Sequence, residues 1–345
     1  MSPVADFLRR KAGDYDLAAR IGLLAVVWIV FTALDSSFAS DDIVFSVLQS
    51  SAFVGLIAIG IGVTMLAGEL DLSVASVAAV AGILAVEMST IGGIPAIALA
   101  ALIACVFGVV QGTCIALLRI NSIVFTIGTL FALRGVANLL TDSKSVLLPV
   151  DQIDLSEALI ERIWVVSPYV LLTIAVAVVI GVGLAVSRWG REIYAIGGAR
   201  AESEAAGVPQ RRPLILAFAL SGFCAGLAGA VSAVVAGSGA AGAYGNVLLL
   251  AVTAVLVGGV GLYGGRGTIL NVVIGCLILE TFIAGLIDQG ATQEVQQLAT
   301  GALLLLVVSV EFLTGLETAE GRASGPGALR QGFGRLFRLR SDAAG

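Results

Sequence analysis

Histidine is absent from this chain, and lysine occurs only at Lys11 and Lys144. Without imidazole, histidine metal sites, Ser-His-Asp triads and Cys-His pairs are all excluded. Neither lysine follows the Gly-x-x-x-x-Gly-Lys-Ser/Thr spacing that cradles nucleotide phosphates, so the chain is not its own P-loop ATPase. The four cysteines, Cys105, Cys114, Cys224 and Cys276, lie in apolar runs with no Cys-x-x-Cys spacing. They read as small buried apolar side chains. Charge is scarce too, with Asp, Glu, Lys and Arg making up 12 % of the residues. No catalytic or metal-binding cluster is expected, and an enzyme acting within the membrane finds no residues to work with.

What fills the chain is hydrocarbon: 58 % of its 345 residues are hydrophobic and 43 are glycine, a profile of integral membrane proteins. A bilayer core about 30 Å thick takes roughly 20 apolar residues per helix. Ten stretches qualify, at 21–34, 43–67, 72–86, 94–118, 123–140, 163–186, 214–236, 247–260, 268–287 and 295–313, the eighth being short. No small-residue cleavage site follows the first, which is therefore expected to be a retained helix. Small residues recur inside the spans, as in Ala225-Gly226-Leu227-Ala228-Gly229-Ala230, and let helices approach closely where lipid supplies no hydrophobic drive.

Basic residues favour cytoplasmic loops. With ten spans and both termini inside, only Lys144 and Arg162 of the 19 basic residues fall outside, and Arg134 lies within a span. The expected fold is thus an all-α polytopic bundle, N-in and C-in. It divides into a cytoplasmic segment 1–20, a membrane domain 21–315 with a cytoplasmic loop at 188–213, and a basic tail 316–345. The tail interleaves Phe333, Leu336, Phe337 and Leu339 with arginines, a pattern that suits either anionic lipid or solvent.

Two motifs interrupt the apolar background. The stretch AGELDLSVASVAAVAGILAV, 67–86, sets Glu69 and Asp71 between two spans. It reads as a tight hairpin in which Asp71 and Ser73 cap the following helix, or as a helix break facing a polar cavity. Residues 188–213 concentrate Arg188, Arg191, Arg200, Arg211 and Arg212 with three glutamates and a Gly-Gly pair. Here residues 200–206 are good helix formers, and Gly207 ahead of Val208-Pro209 is a C-terminal stop. Ionisable groups in or beside spans (Glu69, Asp71, Glu87, Arg134 and Glu280) are what a gradient-driven secondary transporter would use. Each is equally open to a structural role.

The 67–86 stretch resembles the Gly-x-x-Asp-Leu-Ser-Val-Gly-Ser segment of the permease subunits of ribose-type ABC importers. Gly68, Asp71, Leu72, Ser73 and Val74 match, Ala75 replaces the usual glycine and Glu69 is an added charge. The fifth span, NSIVFTIGTLFALRGVANLLT, is similar to a family segment that includes an intramembrane arginine, here Arg134. The seventh shares Ser221, Gly222, Ala225, Ala228 and Gly229, and a later block shares Gly258, Gly259, Leu262, Gly264, Gly265, Arg266 and Gly267, with Tyr263 and Thr268 as substitutions. The 190–212 stretch matches the family's cytoplasmic coupling element through Gly190, Arg191, Ile193, Tyr194, Ala195, Ile196, Gly197, Gly198, Ala205, Gly207 and Val208.

That resemblance implies an ATP-driven importer in the inner membrane working by alternating access, most naturally on a monosaccharide or related polyol. The ion-gradient carrier is the alternative. ATPase coupling is expected at Arg191, Tyr194, Gly197, Gly198, Arg200, Glu202, Glu204, Ala205 and Gly207. Pathway and gating candidates are Gly68, Glu69, Asp71, Ser73, Gln111, Arg134, Asn138, Gly264, Gly265 and Arg266. The implied partners are a P-loop ABC ATPase that uses ATP and Mg, a periplasmic or extracellular binding protein, a second permease copy or paralogue, and membrane lipid. This chain itself is expected to bind no cofactor, metal or nucleic acid. The outside loop 142–162, with Asp142, Asp151, Asp154, Glu157 and Glu161 against Lys144 and Arg162, is either a docking patch for the soluble partner or a solvated loop. Gln49, Ser50, Ser51, Thr64, Gln111, Asn138 and Asn271 are possible hydrogen-bond partners for an uncharged solute.

Overall fold

The computed structural model describes residues 3–262 and 264–323, with side chains over 17–262 and 264–310. The side chains of Arg9, Arg10 and Lys11, the substituted Tyr263, and tail residues Phe333, Leu336, Phe337 and Leu339 lie outside the described set. In chain order the helices are α1 (Pro3–Leu34), α2 (Asp41–Leu66), α3 (Val74–Glu87), α4 (Gly93–Leu118), α5 (Ser122–Leu140), α6 (Ile153–Ile160) and α7 (Pro168–Val186). There follow α8 (Arg188–Gly198), α9 (Arg200–Ala205), α10 (Arg211–Val235), α11 (Val247–Val257), α12 (Ile269–Asp288) and α13 (Gln293–Ala323). The strands among the described residues are two-residue pieces, β1 (Val146–Leu147) and β2 (Ser238–Gly239), paired antiparallel. Contacts divide the chain into residues 1–300 and a second unit, 301–345, that begins inside α13.

Among the described residues nine helices are long and apolar enough to cross a membrane, close to the expected positions. Two expectations need correction. The sixth span starts at Pro168, five residues after the first apolar residue of its run. Ile163 and Val166 pair as a bridge around Trp164, whose φ is 62°, and Ser167 then caps the helix by accepting from Val170 N at 3.3 Å. The eighth is the 11-residue α11, about 16 Å long at 1.5 Å per residue and too short to span alone. The chain before it makes up the distance by turning back into the bundle. Gly239 lies so close under α3 that a Cβ there would sit 2.9 Å from Ile83 Cα, and the Tyr244 hydroxyl donates to Gly229 O at 3.2 Å. Irregular backbone at this depth is tolerated because protein surrounds it.

α10 forms the centre, with 78 % of its membrane window buried against 11 % for α5. It packs on α2, α3 and α4 through backbone contact. A Cβ at Gly222 would lie 2.4 Å from Ala104 O, and one at Gly229 2.0 Å from Ala78 O. Glycine here removes the side-chain layer that otherwise keeps helices apart, the packing mode expected where lipid offers no competing drive. The outward faces are apolar, as with Ile29 on α1, Phe131 on α5 and Val179 on α7, all well exposed.

Candidate functional site

Residues 188–212 fold as two helices rather than the single short one expected at 200–206. Ser187 caps α8 by accepting from Gly190 N at 3.0 Å. Gly190, Ile193 and Ile196 recur at threes and turn inward, which is the apolar stripe of an amphipathic helix. Glu192, also buried, pairs with Arg188 at 2.8 Å, while Arg191 is exposed and donates to Val186 O. α9 ends in a full glycine stop: Gly207, at φ 81°, donates to Glu204 O, and Val208 N reaches back to Ser203 O at 2.9 Å. Ser203 turns inward and accepts from Gln210 Nε2, so Glu202, Glu204 and Ala205 form the exposed side.

The end of α8 meets two other loops. Gly197 touches the end of α2 so tightly that a Cβ would lie 1.9 Å from Leu66 O and 2.9 Å from Gly265 N. Gly264, at φ 80°, would place a Cβ 2.7 Å from Gly68 Cα, and Gly265 one 2.4 Å from Gly198 Cα. Gly265 N also donates to Leu66 O at 3.0 Å. Around this glycine contact stand two side-chain ties. The Tyr194 hydroxyl donates to Gly267 O at 2.9 Å, and Arg200 pairs with Glu69 at 2.6 Å. Burial raises the Tyr194 pKa, so the phenol stays a donor. Residues from 66–69, 194–200 and 264–267 thus form one joint, backbone on backbone, with little soft material between them. Arg266 points outward, its carbonyl accepting from Gly261 N.

Behind the joint lies Asp71, 2 % exposed. Its carboxylate accepts from Ser73 N (3.0 Å), Ser73 Oγ (2.6 Å), Gln111 Nε2 (3.1 Å) and Ser221 Oγ (2.7 Å). Burial raises its pKa and the four hydrogen bonds act against that rise. The capping role expected of Ser73 is not made: it stands at the N-cap of α3 without a side-chain cap bond, its hydroxyl turned to Asp71. Nor do Asp71, Ser73 and Gln111 face an open cavity, for they close on one another. The network extends to α5, where Thr129 donates to Gln111 Oε1 at 2.9 Å and Ser122 accepts from Leu70 N at 3.4 Å. Ser221, Ser122 and Thr129 were not singled out from sequence as site residues, although hydroxyls within long apolar runs were the available signal.

Other candidates stay apart. Arg134 is exposed on α5, and Asn138 bonds back to its carbonyl at 2.9 Å. Glu87 is exposed at the end of α3, whereas Glu280 is buried in α12 with Oε1 unpartnered. Thr64 bonds within its own helix, Asn271 donates to Gly258 O, and Gln49 accepts from Ser167. Ser50 is exposed, and Ser51 is buried without a partner among the described residues. In the 142–162 loop the five acidic residues are exposed, three of them on or beside α6, and Arg162 pairs with Asp42. No group of three or more His, Cys, Asp or Glu among the described residues is placed to hold a metal.

Residues 43–308 match the family described as branched-chain amino acid transport system / permease component. The inner membrane ABC transporter permease protein YjfF of Escherichia coli is 32 % identical over 308 residues, covering 86 % of this chain and 91 % of that protein. The ribose import permease protein RbsC of the same organism is 30 % identical, over 87 % and 95 % of the two chains. Its D-allose transport system permease protein AlsC is 28 % identical, over 84 % and 90 %. No solved structure matches the chain. On the match of residues 43–308 and the similarity to such relatives, the chain belongs to the branched-chain amino acid transport system / permease component family and is a multi-pass, inner-membrane permease subunit of the ABC importer type.

Proposed function

We propose that the chain forms the transmembrane pathway of an importer for a neutral monosaccharide or related polyol, and that α9 is the element through which a separate ATPase drives it. The observation that carries this reading is the three-loop joint. α9 presents Glu202, Glu204 and Ala205 outward while its root is locked to the ends of α2 and α8 and to the loop before α12. A push delivered to that face reaches several membrane helices together. The orientation follows from charge: Arg119, Arg188, Arg191, Arg200, Arg211, Arg212 and Arg266 gather with the joint, so this end is assigned to the cytoplasm. ATP and Mg belong to the partner's sites, since this chain carries no phosphate-binding loop. A soluble binding protein would deliver the solute at the opposite end, and the acidic side of 142–162 is the surface assigned to it.

The sugar assignment rests on the relatives named for ribose and D-allose. Accumulation of labelled ribose or allose by the reconstituted complex, with no leucine uptake, supports it; leucine uptake alone overturns it. The coupling assignment is tested by purifying the tagged chain from native membranes in mild detergent. A stoichiometric P-loop ATPase is expected, lost in Glu202→Lys/Glu204→Lys; retention of the ATPase in that variant removes α9 from the role. The Glu69–Arg200 pair gives a second handle. Either single reversal, Glu69→Arg or Arg200→Glu, is expected to reduce solute moved per ATP, and the double reversal to restore it.

A further inference from the structure

The end of α4, the start of α10 and Glu69 of the loop after α2 line a groove of about 650 Å³ beside α9. Because two membrane-crossing helices, α4 and α10, end there, the groove lies where bilayer meets water. Its walls carry Arg119, Arg211 and Arg212 together with the apolar Ile115 and Ile120. Arg200 and Glu69 also line it but are spent on each other, so three guanidinium groups face the single carboxylate of Glu204. None of those three arginines makes an ion pair or side-chain hydrogen bond with the described residues.

Two further details narrow the ligand. Gln210 lines the groove with its Nε2 donated to Ser203 Oγ and Val208 O, leaving a buried Oε1 with no donor. That oxygen has no open surface, so recognition of a ligand falls to the guanidinium groups. Arg119 closes α4 in the left-handed region at φ 53°, a position that glycine holds without strain. The exposed apolar side chains Leu117 and Leu118 precede it on the last turn of α4.

We propose that this groove binds the headgroup of an anionic phospholipid. Arg119, Arg211 and Arg212 hold the phosphate, and the acyl chains descend past Ile115 on α4. Phosphate-bearing headgroups are drawn to basic pockets at helix ends by about a fivefold gain in affinity per arginine. The bound lipid would brace the strand of chain between α9 and α10.

The full chain is reconstituted in nanodiscs of phosphatidylcholine mixed with phosphatidylglycerol, released into detergent, and weighed by native mass spectrometry. The wild type is expected to retain phosphatidylglycerol over phosphatidylcholine. Arg211→Gln and Arg212→Gln should each lower that retention about fivefold. Arg119→Gly should lower it equally while relieving backbone strain, so its loss is not a folding failure. Arg188→Gln, on the far side of α9, should leave it unchanged. Equal retention in wild type and Arg211→Gln/Arg212→Gln overturns the proposal, as does equal loss in Arg188→Gln. Displacement of the lipid by inorganic phosphate would make this a soluble-anion site and also overturn it. Loss of ATPase binding in pure phosphatidylcholine discs on Arg211→Gln/Arg212→Gln would make the groove a protein-docking surface, with the same result.

Discussion

Replacing Gly197 by alanine sets two effects of opposite sign against each other. Gly197 lies inside α8, where alanine is the better helix former by about 0.8–1.0 kcal/mol. The added Cβ, however, would lie 1.9 Å from Leu66 O and 2.9 Å from Gly265 N. Both are backbone atoms, one at the end of α2 and one in the loop before α12, and no rotamer change can move them aside. To reach an ordinary contact the α2 end and α8 must part by more than about 1 Å, an overpacking that costs roughly 1–3 kcal/mol or more. The clash wins, and the expected net loss is about 1–2 kcal/mol. Gly198→Ala is the internal control, since its Cβ would rest 3.7 Å from Gly265 Cα, an ordinary contact. Thermal unfolding in detergent and solute moved per ATP in liposomes should separate the neighbours: Gly197→Ala lowers both, Gly198→Ala lowers neither. A Gly197→Ala protein that melts at or above the wild type with unchanged coupling would refute the joint, and so would equal damage from both changes.

Asp71→Ala leaves the donors of Ser73, Gln111 and Ser221 without their acceptor in a dry place, and at about 1–3 kcal/mol for each stranded group the loss should reach at least about 3 kcal/mol by denaturant unfolding. Because burial raises the Asp71 carboxyl above its unfolded value, its proton-linked stability is full below the ordinary aspartate range and lost as pH rises through the raised value. Asp71→Asn should flatten that part of the stability profile; an unchanged profile would remove Asp71 as its source. Gly229→Ala drives a Cβ to 2.0 Å from Ala78 O, so α3 and α10 must separate and the melting temperature should fall. No fall would mean the two helices pack less tightly than described.

The spans were legible because apolar length is a local signal, and each run from 21 to 313 could be judged without its neighbours. The two misplaced boundaries share a cause. Ile163 and Val166 are apolar but serve a turn, and Tyr244 is buried by tertiary folding rather than by a run of its own. α8 escaped notice because Gly197-Gly198 argues against a helix by propensity, while packing against Leu66 and Gly265 requires those residues to lack side chains. The joint itself joins Gly68, Gly197 and Gly264, positions with no periodicity between them, so the sequence shows three glycine clusters and not their meeting. Asp71 shows the opposite difficulty. Its charge stood out, but whether it faced solute or three hydroxyl and amide donors was decided by α4 and α10.

The placement of α9 immediately before α10 gives the molecule a division between frame and moving part. α10 is gripped along most of its length by α2, α3 and α4, glycine against backbone, and behaves as a stiff axle. A load applied to α9 would therefore enter a stiffly held helix, where little of it would dissipate as local bending. α5 packs on α3 and is tied to this frame by hydroxyl bonds at Ser122, Thr126, Thr129 and Leu130, while most of its surface stays exposed. It also carries Arg134 and Asn138 on its length. A rotation of α10 would reach α5 through the hydrogen bonds Ser221–Asp71, Asp71–Gln111 and Gln111–Thr129, so a load at one surface would shift a polar network inside the bundle.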